Sequence, residues 1–169
     1  MGEGKRRALR VDFNTAVRLE FHGARLSSDG GLLAYRELDE KLGLTAIADT
    51  YLVDSRRGLN KRHSLTGLLR QSIYARLAGY EDVNDADRLC RDPVMRQLVG
   101  GRAVTHCAAS SSAIGRFETE MLTRPENLAA LADLPGRWID AVHDRQPPKS
   151  ITLDIDRKST RLNSSHQII

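Results

Sequence analysis

The segment from Leu65 to Ala78 most constrains the fold, because it carries the clearest helical pattern in the chain. Its large apolar residues recur at intervals of three and four, which places them on one face of an α-helix. Ser64 precedes the segment and is a favoured N-cap residue, since its hydroxyl can accept a hydrogen bond from the first turn. The apolar positions of this face are Leu65, Leu68, Leu69, Ile73 and Leu77.

Similar patterns on both sides predict a mainly α fold, with residues 1–146 forming one helical domain. Val17–Phe21 alternates apolar and polar residues and predicts a strand, which Arg25–Ser27 could join as a small hairpin near residues 17–27. Pro135-Gly136 is expected to kink or break the last helical pattern. The other predicted helices are Leu32–Leu42, ended by Gly43, then Leu44–Leu52, Pro93–Val99, Ser110–Leu122, and one that starts at the capping box Thr123–Glu126, with Pro125 just inside it, and extends toward Arg145.

The character of the chain changes after residue 146. Gln146-Pro-Pro-Lys149 is typical of a linker between domains. Ser150–Asp156 then alternates apolar and polar residues, which predicts a strand with Asp154 and Asp156 on one side. Residues 147–156 are therefore expected to be a linker and the first strand of a second domain.

The last residues are expected to be a non-native tail. Asp156–His166 reads DRKSTRLNSSH, which is the translation, in one frame, of an adapter used in sequencing libraries. Residues 157–169 are therefore left out of fold arguments. The formal charge of +4 falls to +1 once Arg157, Lys158 and Arg161 are excluded, so a DNA-binding argument depends on local clusters.

The strongest such cluster lies in the polar stretch Val53–Ser64. Gly58 and Asn60 predict a loop. Its cations are candidate contacts for a phosphate backbone, with a solvated loop as the alternative. These candidates are Arg56, Arg57, Lys61 and Arg62, with His63 beside them.

A second candidate region is the predicted helix Ser110–Leu122. Its serine-rich start could hold a phosphate, and Arg116 is expected on its outer face. Together with the preceding helix, it could form a helix-turn-helix reader of DNA.

The stretch Gly79–Pro93 contains five acids, for which two interpretations compete. In the first, they cap helices: Asp92 precedes Pro93 at a helix start, and Asp82 caps a short helix. In the second, Asp82, Asp85 and Asp87 bind a metal ion. The capping interpretation is favoured, because Asp87 would turn away from the other two on a helix.

Composition excludes several classes of protein. Hydrophobic residues make up 40% of the chain and charged residues 28%, which is ordinary for a globular protein. No apolar run approaches the ~20 residues of a membrane span, and the amino terminus lacks the apolar region of a signal peptide. Cys90 and Cys107 form no metal-binding pattern, and we interpret them as reduced and structural.

Three blocks in order give the chain a family resemblance. LSSDGGLLAYRELDEKLGL, GYEDVNDADRLCRDP and SSSAIGRFE resemble the amino-terminal region of bacterial insertion-sequence transposases of the DDE group-1 type. The resemblance runs from about Leu19 to Asp156. It implies that the helical domain precedes a ribonuclease H-like α/β core, of which only the first strand is present.

The resemblance also implies a chemistry. The intact protein would cut and join DNA at insertion-sequence ends with two Mg²⁺ ions, which clamp the oxygens of the phosphodiester. The first catalytic and metal-binding Asp would be Asp156 by its place in the motif, with Asp154 next to it. This fragment is expected to be inactive.

Other expectations follow from the same resemblance. DNA, both the insertion-sequence ends and the target, is the implied partner, in the bacterial cytoplasm and nucleoid. A homodimer of the intact protein is left open. The alternative to a transposase fragment is a non-enzymatic helical module for DNA binding or dimerisation.

Overall fold

The computed structural model of the protein describes residues 9–19, 29–57 and 61–150, which form seven α-helices and one pair of short strands. The prediction of a mainly helical fold is confirmed for this part of the chain. Three short turns complete it: 3₁₀ helices at Val83–Asp85 and Gly101–Val104 and a π-helical turn at Phe117–Met121. The helices are α1 (Leu32–Leu42), α2 (Leu44–Tyr51), α3 (Leu65–Leu77), α4 (Ala86–Leu89), α5 (Pro93–Val99), α6 (Ser111–Arg116) and α7 (Pro125–Arg145).

The two strands form a small antiparallel pair near the start of the described chain. β1 (Leu9–Arg10) pairs with β2 (Arg18–Leu19), with Leu9 opposite Leu19. The second strand falls within the predicted Val17–Phe21, but its partner is the segment before it. The predicted return segment Arg25–Ser27 lies outside the described residues.

Helix α3 lies at the centre of the domain. The Ser64 hydroxyl accepts a hydrogen bond from the Gly67 N–H at 3.0 Å, so the predicted N-cap is present. Leu65, Leu68 and Leu69 are buried as expected. The predicted face is wrong at its carboxyl end, where Leu77 is 55% exposed. The buried surface turns toward Gln71, Ser72 and Tyr74 instead, because α3 is covered on several sides rather than along one stripe.

The core consists of two clusters that meet at α3. The first joins α2, the start of α3, α6 and α7, and the second joins α1, the end of α3, α4 and α5. The large buried residues of the first cluster are Leu52, Leu65, Leu68, Leu69, Ile114, Phe117, Met121 and Leu134. Those of the second are Leu32, Leu33, Tyr74, Leu89, Met95, Leu98 and Val99.

Two fully buried amides fasten loops to this core. The Gln71 side chain accepts from the Ala109 N–H and donates to the Ala109 carbonyl, both at 2.7 Å. Asn127 accepts from the Val53 N–H at 2.8 Å and donates to the carbonyls of Val53 and Met121. Each amide satisfies backbone groups that would otherwise be buried without partners. The loops before α3 and before α6 are thereby fixed in place.

Two further predictions concern the end of α1 and the course of α7. Gly43 ends α1 with φ +79°, a left-handed conformation that favours glycine, as predicted. Of the kink or break predicted at Pro135, the break is wrong, because α7 continues through this residue. Leu134 beside it is buried in the first core cluster. Helix α7 ends at Arg145, before the predicted linker. Of the predicted strand Ser150–Asp156, all but Ser150 lies outside the described residues.

Candidate nucleic-acid interface

A cleft of about 440 Å³ opens between the loop that precedes α3 and the side of α6. Every cation that the sequence singled out for DNA contact lines it, so the structure brings the loop and Arg116 together. Leu68, Phe117 and Met121 lie at its base and belong to the first core cluster. The basic side chains around the cleft are Arg56, Arg57, Lys61, Arg62, Arg116 and Arg124.

Asp54 orders two of these cations. Its Oδ1 accepts from the Arg56 Nε at 2.9 Å and its Oδ2 from the Arg56 Nη2 at 2.8 Å, while Lys61 Nζ lies 3.1 Å from Oδ2. Arg56 also donates from Nη1 to the His63 carbonyl at 2.9 Å. The hydrogen bond from Arg56 is the main cause that holds the pKa of Asp54 well below its usual range. This carboxylate is therefore charged at neutral pH, and it holds Arg56 and Lys61 together across the loop.

The other cations face the cleft without such a partner. Among the described residues, no carboxylate oxygen lies within 4.0 Å of the charged groups of Arg57, Arg62 or Arg116. All three residues are exposed. Arg124 is only loosely paired, with Nη1 3.9 Å from Glu126. These four side chains can meet a phosphate without first breaking a close ion pair.

The residues that line the cleft give it a positive potential. Burial lowers the pKa of His63, and the charges of Arg62, Arg102 and Arg56 lower it further. Glu120 is the one carboxylate among the described residues that line the cleft, against six basic side chains. A concave basic surface of this kind concentrates polyanions.

A carboxylate of the protein lies at the amino-terminal end of α6, where the serines were expected to be able to hold a phosphate. Asp87 occupies that position: its carboxylate accepts from the Ser111 N–H at 2.9 Å and from the Ser111 Oγ at 2.8 Å. These bonds, first the one from the backbone, lower the pKa of Asp87. A helix-turn-helix reader is also wrong here, because a 3₁₀ helix and further loop residues separate α5 from α6, where that motif has a turn of three or four residues.

Two other acids of the Gly79–Pro93 stretch cap helices. Asp92 accepts from the Met95 N–H at 2.8 Å and caps α5, and Asp82 accepts from the Asn84 N–H at 2.8 Å. Both caps were predicted. Arg76 pairs with none of these acids and instead contacts both oxygens of Glu118, at 2.7 and 2.9 Å.

Comparison with known proteins decides the family. The family model described as Transposase DDE domain group 1 matches residues 9–168. The chain belongs to this DDE transposase family. The match includes residues 157–168, whose non-native origin stays a prediction. No curated protein and no solved structure matches the chain.

The predicted catalytic residues Asp154 and Asp156 lie outside the described residues. DDE transposases generally use divalent metal ions. Within residues 9–19, 29–57 and 61–150, no group of three or more His, Cys, Asp or Glu side chains could hold a metal ion.

Two further observations concern the described part of the transposase. None of its helices combines the length and the apolar character needed to cross a bilayer. Arg124 was not among the predicted DNA contacts, because it lies beyond the predicted helix Ser110–Leu122. In the structure it precedes α7, and the π-helical turn Phe117–Met121 separates it from Arg116.

Proposed function

We propose that this chain is the amino-terminal fragment of a DDE transposase whose helical part holds DNA by its phosphate backbone at the basic cleft. The observation that carries the proposal is the meeting of the loop before α3 with α6 around one cleft, lined by six basic side chains. Family membership supports DNA as the ligand. The intact protein would cut and join DNA at insertion-sequence ends.

The cleft favours phosphate contacts over base reading. Its cations lie on a loop and on the side of a short helix, and α6 is too short and too firmly capped by Asp87 to enter a groove amino end first. Phosphate contacts fix a protein on DNA without conveying sequence. We therefore expect little preference among DNA sequences in this part of the protein.

Catalysis in the intact protein would depend on Asp156, with Asp154 beside it, as ligands of Mg²⁺. When bound, the metal ions stabilise the attacking and leaving oxygens of a phosphodiester displacement. The chain's own contribution would be to supply the carboxylates from one side of a strand. Supercoiled plasmid incubated with the full chain and Mg²⁺ should stay uncut, and cleavage that is lost in Asp156→Asn would contradict the inactivity of this fragment.

DNA binding by the cleft is tested by fluorescence anisotropy with a labelled duplex at several salt concentrations. Contacts by Arg57, Arg62, Arg116 and Arg124 predict a log–log salt slope of about −3 to −4, since each phosphate contributes roughly 0.9. The triple variant Arg57→Ala/Arg62→Ala/Arg116→Ala should lose about three phosphate contacts and make the slope shallower by roughly 2.7.

A matched control removes the same net charge elsewhere. Arg88, Arg91 and Arg137 are exposed and do not line the cleft, so their triple replacement by Ala should leave the slope nearly unchanged. If both triple variants weaken binding equally, affinity follows net charge alone, and the cleft is not the DNA site.

A further inference from the structure

The two cysteines of the chain are brought together, although seventeen positions separate them in the sequence. Cys90 follows α4 and is buried, while Cys107 lies in the loop before α6 and is exposed. The Ala108 N–H donates to the Cys90 carbonyl at 2.9 Å. With standard backbone dimensions on either side, this bond keeps the two Cα atoms within about 8 Å. A disulfide needs Cα atoms roughly 4.4–6.8 Å apart, a separation that this backbone bond allows.

The two thiols are neighbours. Burial raises the pKa of Cys90, and the nearby Cys107 thiol raises it further. The Cys90 thiol also lies 3.2 Å from the Asp87 carbonyl, to which it donates. One thiol is thus accessible to an oxidant and the other is held beside it.

We infer that Cys90 and Cys107 form a reversible intramolecular disulfide when the protein meets a peroxide. Hydrogen peroxide first oxidises the exposed Cys107 thiol to a sulfenic acid and leaves one molecule of water. The Cys90 sulfur then attacks the Cys107 sulfur, the S–O bond breaks, and the oxygen leaves as a second water with the Cys90 proton. Two thiols and one peroxide thus give one disulfide and two waters.

The bond would act on the loop that leads into α6. That loop is already fastened at Ala109 by Gln71 and at Ser111 by Asp87. A disulfide at Cys107 would join the same loop covalently to the end of α4. In a reducing compartment such a bond is transient and is reversed by cellular thiols.

The test uses the full chain, reduced, freed of reductant and treated with hydrogen peroxide. We expect both thiols to disappear together, the intact mass to fall by about 2 Da, and a peptide map to contain the Cys90–Cys107 cross-link. Closing a loop of this length should raise the Tm by roughly 5–10 °C, and dithiothreitol should reverse the rise.

The variant Cys107→Ser supplies the control, because Cys107 is exposed and its replacement leaves the core intact. Its Cys90 thiol should stay reduced and its Tm unchanged under the same treatment. A wild-type protein that yields a Cys107-linked dimer or a Cys107 sulfinic acid, with Cys90 still titratable, would overturn the inference.

Discussion

Arg56 and Asp54 form an ion pair through two parallel hydrogen bonds, of 2.9 and 2.8 Å, at the base of the basic loop. A paired arginine of this kind is both anchored and partly neutralised. The loop thus contains two sorts of cation. Arg56 and Lys61 maintain its shape by contacting Asp54. The charged groups of Arg57 and Arg62 face the solvent, where a ligand can contact them.

Replacing Asp54 should strengthen DNA binding while weakening the fold. Asp54→Ala removes a negative charge and releases Arg56 and Lys61, so the salt slope should steepen by about 1 to 2 units. Loss of the charged hydrogen bonds should lower the free energy of unfolding by roughly 1–2 kcal/mol. Anisotropy titrations and urea melts measure the two effects.

The control for that experiment is Asp133→Ala, which removes the same charge from an exposed position on α7. It should change neither the slope nor the stability appreciably. An Asp54→Ala protein that binds DNA no better than Asp133→Ala would show that the released cations do not reach the phosphate backbone.

Because α3 lies in the core, replacing a buried and an exposed leucine of this helix should have very different effects on the free energy of unfolding. Leu69 is 4% exposed and Leu77 is 55% exposed. Leu69→Ala should lower the free energy of unfolding by about 2–5 kcal/mol, because it leaves a cavity in the first core cluster. Leu77→Ala on the same helix should change it by less than about 0.5 kcal/mol. Denaturant melts of both variants check this, and equal effects would mean that the burial of α3 is wrongly assigned.

Asn127 provides a test of the buried amides. Asn127→Ala should destabilise the protein by roughly 2–4 kcal/mol, since Val53 and Met121 would keep buried backbone groups without partners. Hydrogen exchange should also accelerate at the Val53 amide, which donates to Asn127. Leu128→Ala, at an exposed neighbouring position, serves as the control. A Val53 amide that remains protected in Asn127→Ala would contradict this role.

The Glu118–Arg76 pair predicts a contribution to stability that disappears in acid. Arg76 holds the pKa of Glu118 below its ordinary value, and Ser72 lowers it further. The pair therefore stabilises the fold fully above the unfolded-state pKa of about 4.3, and the contribution is lost as pH falls through the lower folded-state pKa. Because Arg76 is half exposed, the effect should be modest, roughly 0.5–1 kcal/mol.

Urea melts of wild type and Glu118→Gln between about pH 7 and pH 3 measure that contribution. The wild type should be more stable near neutral pH, and the difference should vanish toward pH 3. Glu126→Gln, whose nearest arginine lies 3.9 Å away, should show no such change. A Glu118→Gln difference that is constant over the whole range would contradict the ionic origin.

Local signals in the sequence were sufficient for the caps and for the basic loop. Ser64, Asp92 and Gly43 each act within one turn of their own position, so their neighbours in sequence are also their neighbours in space. The candidate cations of the loop could be named for the same reason.

Contacts between distant segments could not be predicted in this way. Asp87 reaches the start of α6 across 24 positions and Arg76 reaches Glu118 across 42, because α3, α4 and α6 pack together. No local pattern encodes either distance. The same packing places Arg116 opposite the basic loop. Two regions that were separate candidates for DNA contact in the sequence therefore line one cleft. Helix α7 also continues through Pro135, beside Leu134, whose contacts with the core are with residues distant in sequence.

The carboxylate of Asp87 at the start of α6 also sets a direction of approach. The Asp87 carboxylate already neutralises the partial positive charge at that end of the helix. A phosphate chain near α6 is therefore drawn to its flank, where Arg116 and, beyond the π-helical turn, Arg124 lie. Nucleic acid would cross the side of this helix. The helix would contact the phosphate backbone without entering a groove.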